Sequence, residues 1–497
     1  MRARYSGDNV NRRGFLKGIC AAAAAAGTPA KIWGVAKSLG RPDLCIGVLS
    51  DIHLQYDAKD FLSNPMSRMQ AIFIKALEYF RDRHVDAVLV AGDLANSGLL
   101  PELELVADAW KKVFPGNKLP DGSPVVNLMH YGDHDVEKRF YNEKRFASMY
   151  MKRDGKLPPS LAFDGNDKKY WEELFGEEWS QVMVREVKGY KFILANFDQA
   201  NPDATVGLDG YMAKYGADLS KPVFYSQHRW MKGTYCMDDG MWGAKYGSEQ
   251  KAVLDHYPNC VAFTGHTHYM LTDDRTVWQG GFTCINTGAL LNQAPGRLRE
   301  NGSLISWIPS DGSADRQMPG VDIRQCHAGI VFNLYGTDVV LERRDMVRGE
   351  PLGPDLCFSI AAEDVKKGLF NDAVRRAKAV APEFDAEARV TVGERCGKTR
   401  RGRECGQYVI SFPTVKSKGR HPRAYEYRVS ALDAGGTKLA EAKVYSPFIN
   451  CAESHEPATS ICVMEKTALL AARCVRFTVE PLDCWGNAGR AIAGTQI

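Results

Sequence analysis

The chain has 497 residues, 64 Lys and Arg against 60 Asp and Glu, a formal charge of +4 and 44% hydrophobic residues. That length exceeds what one hydrophobic core supports, so two domains beside a leader are expected. The composition is that of a globular protein, and the small net charge gives no electrostatic case for a nucleic-acid partner or a membrane surface.

The first predicted element is the leader. Asn11-Arg12-Arg13-Gly14-Phe15-Leu16-Lys17 is followed by the apolar run GICAAAAAAG and then by TPAKIWGVA. A charged region, a short apolar region and small residues predict a secretory signal peptide over residues 1–36. The run is too short and too rich in Ala for a membrane span, and no later stretch suits a transmembrane segment. The paired arginines before Phe-Leu-Lys resemble a twin-arginine export signal, with Asn11 where Ser or Thr is usual. That resemblance implies the twin-arginine export machinery as a partner and a periplasmic or secreted location. Cleavage is expected near Ala30 or Ala36, and Lys17-Gly18-Ile19 before Cys20 fits a lipoprotein signal poorly.

Residues 44–50 then read as a strand, 66–84 as an amphipathic helix, 86–91 as a strand, 101–114 as a helix and 124–131 as a strand. This alternation predicts parallel strands with helices on their faces. A hairpin is expected around Lys188-Gly189. Further strands follow at 221–226 and 260–264, with a helix at 248–257 between them. Residues 276–288 and 328–345 complete the set as antiparallel strands.

Polar residues sit where these strands end. They are Asp51-Ile52-His53, Gly92-Asp93, Gly132-Asp133-His134-Asp135, His228 after KPVFYS, and Gly265-His266-Thr267-His268. A strand ending in Asp or His delivers that side chain to the edge of a sheet. Several such edges side by side make a cup of carboxylates and imidazoles, donors suited to borderline divalent metals. No Cys occurs in these motifs, which argues against a closed structural zinc site. A lone strand-end Asp is often only a turn former or helix cap, so the weight lies in the set. His84 and His130 are assigned structural roles only.

In order and spacing these motifs resemble those of the calcineurin-like metallophosphoesterases, over residues 43–345. The resemblance implies a four-layer α/β/β/α sandwich and two divalent metal ions. Asp93 would bridge the ions. Asp51, His53 and His268 would complete the first site, and Asp133, His228 and His266 the second. His134 would stand over the site without binding metal, stabilise the transition state and help protonate the leaving oxygen. Asp135 would orient its imidazole. One position departs from the family pattern, which has Asn where Asp133 stands. The Tyr that redox-type purple phosphatases carry after Gly-Asp is also missing, since Leu94, Ala95 and Asn96 follow Asp93.

The implied function is a secreted, dinuclear phosphoesterase in which a metal-bridging hydroxide attacks a phosphoester substrate. The extra negative charge of Asp133 leads to a lean toward phosphodiesters, because a monoester dianion suffers more repulsion. The alternatives are a phosphomonoesterase and a non-catalytic metal-binding scaffold. Export of an already folded chain would let the cytoplasm choose the metals, which favours manganese or iron, with zinc as the alternative.

The catalytic α/β domain is assigned to residues 41–350 and a helical linker to 351–384. Residues 385–497 alternate in short strands and turns, predicting an all-β sandwich. YRVSALDAGG and VRFTVEPLDCWGNAG resemble fibronectin type III strands. Since every motif lies before residue 350, the catalytic unit is expected to work without the C-terminal region. Cys396–Cys405 and Cys451–Cys462 are candidate disulfides for an oxidising compartment, while Cys45, Cys260 and Cys284 read as buried thiols. Arg229, Trp230, Tyr235 and Trp242 flank His228 as substrate contacts or loop packing.

Overall fold

The computed structural model describes residues 40–54, 68–98, 100–136, 167–197, 205–234, 247–291, 326–398, 402–447 and 452–495. The expected signal peptide, Tyr235, Trp242 and Cys451 lie outside the described residues.

Strands β1 (Leu44–Leu49), β2 (Ala87–Ala91) and β3 (Val126–His130) run parallel and side by side. Both faces of these strands are covered, which is why they read as unbroken apolar runs. The connecting helices are α1 (Arg68–Asp82) and α2 (Leu100–Val113). Helix α1 lies so close that a Cβ at Gly47 would overlap the Phe80 ring. On the other side of β1, β10 (Ala328–Tyr335) and β11 (Asp338–Asp345) add antiparallel. Strands β12 (Glu350–Pro351) and β13 (Leu356–Ser359) also pair with β11, so this sheet continues past residue 350.

The second sheet begins with the hairpin of β4 (Val182–Val187) and β5 (Tyr190–Ala195). Lys188 and Gly189 form its turn, with φ of 50° and 85°, the left-handed pair such a two-residue turn requires. Strands β6 (Val223–Gln227), β7 (Cys260–Thr264) and β9 (Thr283–Asn286) follow parallel to β5. Strand β8 (Val277–Gln279) closes the far edge antiparallel to β9.

Alternation along the second sheet separates two cores. Phe192 and Leu194 of β5, Phe224 of β6, and Val261 and Phe263 of β7 join the core of the first sheet. There Phe332 of β10 meets Phe224 and Phe263 edge-on, at 5.8 and 5.7 Å between ring centres. Ile193, Tyr225 and Ala262 face the other way, onto Leu208 and Met212 of α5 (Leu208–Tyr215) and Leu254 of α6 (Ser248–Leu254). Two sheets face to face with helices outside each give the four expected layers. Two further helices among the described residues, α3 (Asp133–Val136) and α4 (Asp167–Phe175), lie between β3 and β4 in the chain.

After α7 (Ala362–Lys366) and α8 (Asp372–Lys378), the rest is mainly antiparallel. One sheet holds β14 (Thr391–Lys398), β15 (Glu404–Pro413) and β18 (Thr459–Glu465). The other holds β17 (Lys438–Tyr445), β16 (Glu426–Leu432), β19 (Arg476–Leu482) and β20 (Ile492–Thr495), in that order. Tyr408, Ile410, Tyr427, Val429, Phe477 and Val479 form the core they share. A short helix, α9 (Ala468–Arg473), precedes β19. Strand β18 is absent from the sequence-based set, although Ser460, Cys462 and Met464 alternate inward. A Ser and a Cys at two of its three inward positions weaken the apolar signal.

The proposed Cys396–Cys405 bridge is corrected by the register. Cys396 pairs with Gly406 and Cys405 with Gly397. Directly opposed residues share a face and the next pair takes the other, so these two side chains point to opposite faces. Both thiols are free. Cys45, Cys260 and Cys284 are buried, as expected. No helix among the described residues is long and apolar enough to cross a membrane.

Candidate metal centre

The C-terminal ends of β1, β2 and β3 meet those of β6 and β7, and the polar motifs lie just beyond. Asp51, His53, Asp93, His266 and His268 all have left-handed backbones, with φ of 52°, 48°, 54°, 69° and 51°. Each costs about 1 kcal/mol or more for a residue bearing a Cβ, a strain that concentrates at functional sites. The turns are tied to one another. Asp51 donates its amide to Gly92 O at 3.1 Å, Ile52 and His53 both donate to Asp93 O, and Gly265 donates to His228 O at 2.8 Å. Two glycines permit this approach. A Cβ at Gly92 would strike the His228 ring, and one at Gly265 would run into the Ser50 hydroxyl.

Seven side chains converge in two groups that share one carboxylate. Asp51, His53 and His268 form one group, and Asp93, Asp133, His228 and His266 the other, each with its ligand atoms within 4.8 Å of one another. Asp93 joins the two, because its Oδ2 lies 3.5 Å from His53 Nε2 and 3.1 Å from His228 Nε2. Within the groups, His53 Nε2 is 3.1 Å from His268 Nε2, and His266 Nδ1 is 3.1 Å from His228 Nε2. Two ligand atoms on one ion, each bonded at about 2.0–2.1 Å, are separated by roughly this distance.

Each carboxylate gives one oxygen to the protein and turns the other to the cluster. Asp51 Oδ2 lies 2.5 Å from the Ser50 hydroxyl and accepts the His266 amide at 3.0 Å, while Oδ1 faces His268 Nε2 at 3.3 Å. Asp93 Oδ1 accepts the His134 amide at 3.0 Å, leaving Oδ2 for the junction. Asp133 Oδ2 accepts from Arg229, while Oδ1 faces His228 Nε2 at 3.1 Å and His266 Nδ1 at 3.4 Å. Asp51 Oδ1 and Asp133 Oδ1 are buried and accept no hydrogen bond from the described residues. Buried orphan carboxylate oxygens are costly unless something positive meets them. Paired metal ions fit this donor set. Burial opposes ionisation of Asp51 and Asp133, yet neighbouring imidazoles hold both carboxyls well below the usual range: His268 and His53 for the first, His266 and His228 for the second.

The surrounding contacts fix the rings. His228 Nδ1 lies 2.8 Å from Ala91 O, so it carries the proton and leaves the Nε2 lone pair for a metal. Trp230 stacks on His266 with ring centres 5.5 Å apart, which gives this flanking residue a supporting role. His134 packs edge-on against His53 at 4.6 Å between ring centres, and its Nδ1 lies 2.8 Å from Asn96 O.

Asp135 differs from expectation. It does not direct the His134 ring; it accepts backbone amides from Gly132 and Ala95 at 2.7 Å and from Leu94 at 3.2 Å. Its carboxylate therefore knots the loops after β2 and β3. His130 is buried, with Nε2 2.8 Å from Ser226 Oγ across the sheets, and burial pushes its pKa down to about 3. It is a neutral structural link, as the sequence suggested. Sequence reasoning missed Ser50 and the carbonyls of Ala91 and Asn96. A Ser closing a fully buried strand is the only available signal, and carbonyl partners leave none.

Residues 45–270 match the family model for calcineurin-like phosphoesterases. Over those residues the chain is similar to the calcineurin-like phosphoesterases, and the clustered Asp and His side chains could hold metal ions. No curated protein matches the chain. Similar solved structures include a purple acid phosphatase from yellow lupin (Lupinus luteus) seeds, 14% identical, with a TM-score of 0.38, covering 65% of this chain and 55% of that one. This chain thus spans about half of the lupin protein's length. A predicted phosphoesterase from Streptococcus pneumoniae is 13% identical, with a TM-score of 0.24, over 64% of this chain and 97% of that one. Vacuolar protein sorting 29 from Cryptosporidium parvum is 14% identical, with a TM-score of 0.25, over 64% and 98%.

Proposed function

We propose that the protein is an exported phosphoesterase that holds two divalent ions and hydrolyses phosphoester substrates. The observation behind it is Asp93 Oδ2, within 3.5 Å of His53 Nε2 and 3.1 Å of His228 Nε2, a single oxygen between two ligand groups. Two ions held there would supply an activated water and a clamp on the phosphoryl oxygens. The chain's own residues fix the spacing and handle the proton. A ring nitrogen of His134 lies within 4.8 Å of ligand atoms of His53 and Asp93, where a protonated imidazole can serve a leaving oxygen. The presence of all seven ligands and His134 speaks against a non-catalytic scaffold.

Manganese or iron is the proposed metal, from the mixed carboxylate and imidazole donors and from loading before export. The twin-arginine leader supports a periplasmic or secreted location, and the C-terminal sandwich is read as fibronectin type III-like. The lean toward phosphodiesters assumed an uncompensated charge at Asp133. Arg229 supplies a compensating charge, which leaves phosphoester hydrolysis with no selection by that charge. The test is hydrolysis of matched aryl monoesters and diesters by chelated protein and by protein reloaded with manganese, iron or zinc. Turnover that returns only with metal is expected. Turnover unaffected by chelation contradicts the proposal.

A further inference from the structure

Asp133 brings a third carboxylate into the cup, and the structure shows where its charge goes. Arg229 places Nη2 3.0 Å and Nε 3.3 Å from Asp133 Oδ2. The guanidinium is itself held, lying over the Phe197 ring at 4.7 Å from its centre. Phe197 is pinned in turn by its amide to Tyr131 O at 3.0 Å, so the end of β5 is fixed to the end of β3. The Arg229 side chain is only 16% exposed. The two oxygens of Asp133 are therefore divided, Oδ2 to the guanidinium and Oδ1 to the imidazoles of His228 and His266.

We infer that Asp133 and Arg229 work as one unit, a metal ligand that offers a single oxygen and carries no net charge. Arg229 is a positioning residue in this unit. Its planar fork holds one carboxylate oxygen, which prevents Asp133 from turning both oxygens to one ion. Its charge cancels that of Asp133, so the cup keeps the field of a two-carboxylate site. Neither residue is exchangeable alone. A neutral side chain at 133 leaves a cation beside the second ion, and a neutral side chain at 229 frees a whole carboxylate. This inference rests on the two-metal reading above.

The experiment compares wild type, D133N, R229Q and D133N/R229Q, titrated with manganese in a competing chelator. Melting of the metal-free forms is followed in parallel, to show that each folds. D133N is expected to weaken the second manganese by tenfold or more. D133N/R229Q is expected to recover to within threefold of wild type, and R229Q to bind the ion at least as tightly as wild type. In metal-free protein, each single substitution should lower the melting temperature more than the double one does. D133N holding two ions as tightly as wild type overturns the unit, as does a double variant no better than D133N. Wild type that takes up fewer than two ions overturns the unit and the two-metal reading together.

Discussion

The hydroxyl of Tyr425, just before β16 of the C-terminal sandwich, lies 3.2 Å from that of Tyr269, the residue after His268. Tyr269 donates to Asp273 Oδ2 at 2.5 Å, and Arg275 grips the same carboxylate while its guanidinium lies over the Tyr425 ring. Nearby, Arg375 of α8 donates to Val277 O and Asp274 O. The segment leaving the metal site is thus held by groups beyond residue 350. A catalytic unit independent of them was the sequence-based expectation. A chain truncated after residue 350 should instead lose bound metal and solubility. Tyr425→Phe in the full chain should cost about 1 kcal/mol of stability with a small effect on activity. Metal content and melting of both proteins check this; a truncated chain with full metal and activity would show the contacts to be dispensable.

His134 lies outside the two groups that Asp93 joins, although one of its ring nitrogens is within 4.8 Å of ligand atoms of His53 and Asp93. Replacing it by Ala should leave metal content unchanged and lower kcat by about 10²–10⁴-fold, the usual range for a lost general acid. Parallel elemental analysis and kinetics separate this from a ligand role, in which metal would fall together with kcat.

Asp135 makes a different prediction from the one its sequence position suggests. As the acceptor of three backbone amides it should matter for folding first. Asp135→Asn sets an amide NH2 against those donors and should destabilise the protein by about 1–3 kcal/mol. Thermal melting decides. An unchanged melting temperature with lowered kcat would restore the orienting role.

Burial raises the pKa of the Cys45 thiol to about 12 and that of Cys284 to about 11, and it raises Cys260 further. A raised thiol pKa keeps the protonated, unreactive form across neutral pH, and the protection is lost only on unfolding. Iodoacetamide at pH 8 should therefore spare these three in folded protein and modify the exposed Cys396. Peptide mapping before and after denaturation checks it. Resistance of Cys396 in unreduced protein would reopen the question of its pairing.

The candidate metal centre was legible because its Asp and His residues follow the ends of strands, and strands announce themselves as apolar runs. What the sequence could not show is what meets across space. Arg229 is 96 residues from Asp133, and nothing local distinguishes it from any other Arg after a His. Asp135 beside His134 suggested a familiar pairing, but the short helix α3 turns the carboxylate toward backbone amides instead. Strand β18 escaped because Ser460 and Cys462 do not read as a core face. The Tyr269–Tyr425 contact joins residues 156 positions apart, in regions with separate cores.

One carboxylate, Asp93, stands between the two proposed metal sites. The direct measurement is metal stoichiometry by elemental analysis of wild type and Asp93→Ala, both reloaded and then freed of unbound metal. Two ions per wild-type chain are expected, and loss of both from the variant, because the substitution removes the oxygen that lies between the two groups. Two full equivalents retained by Asp93→Ala would contradict it.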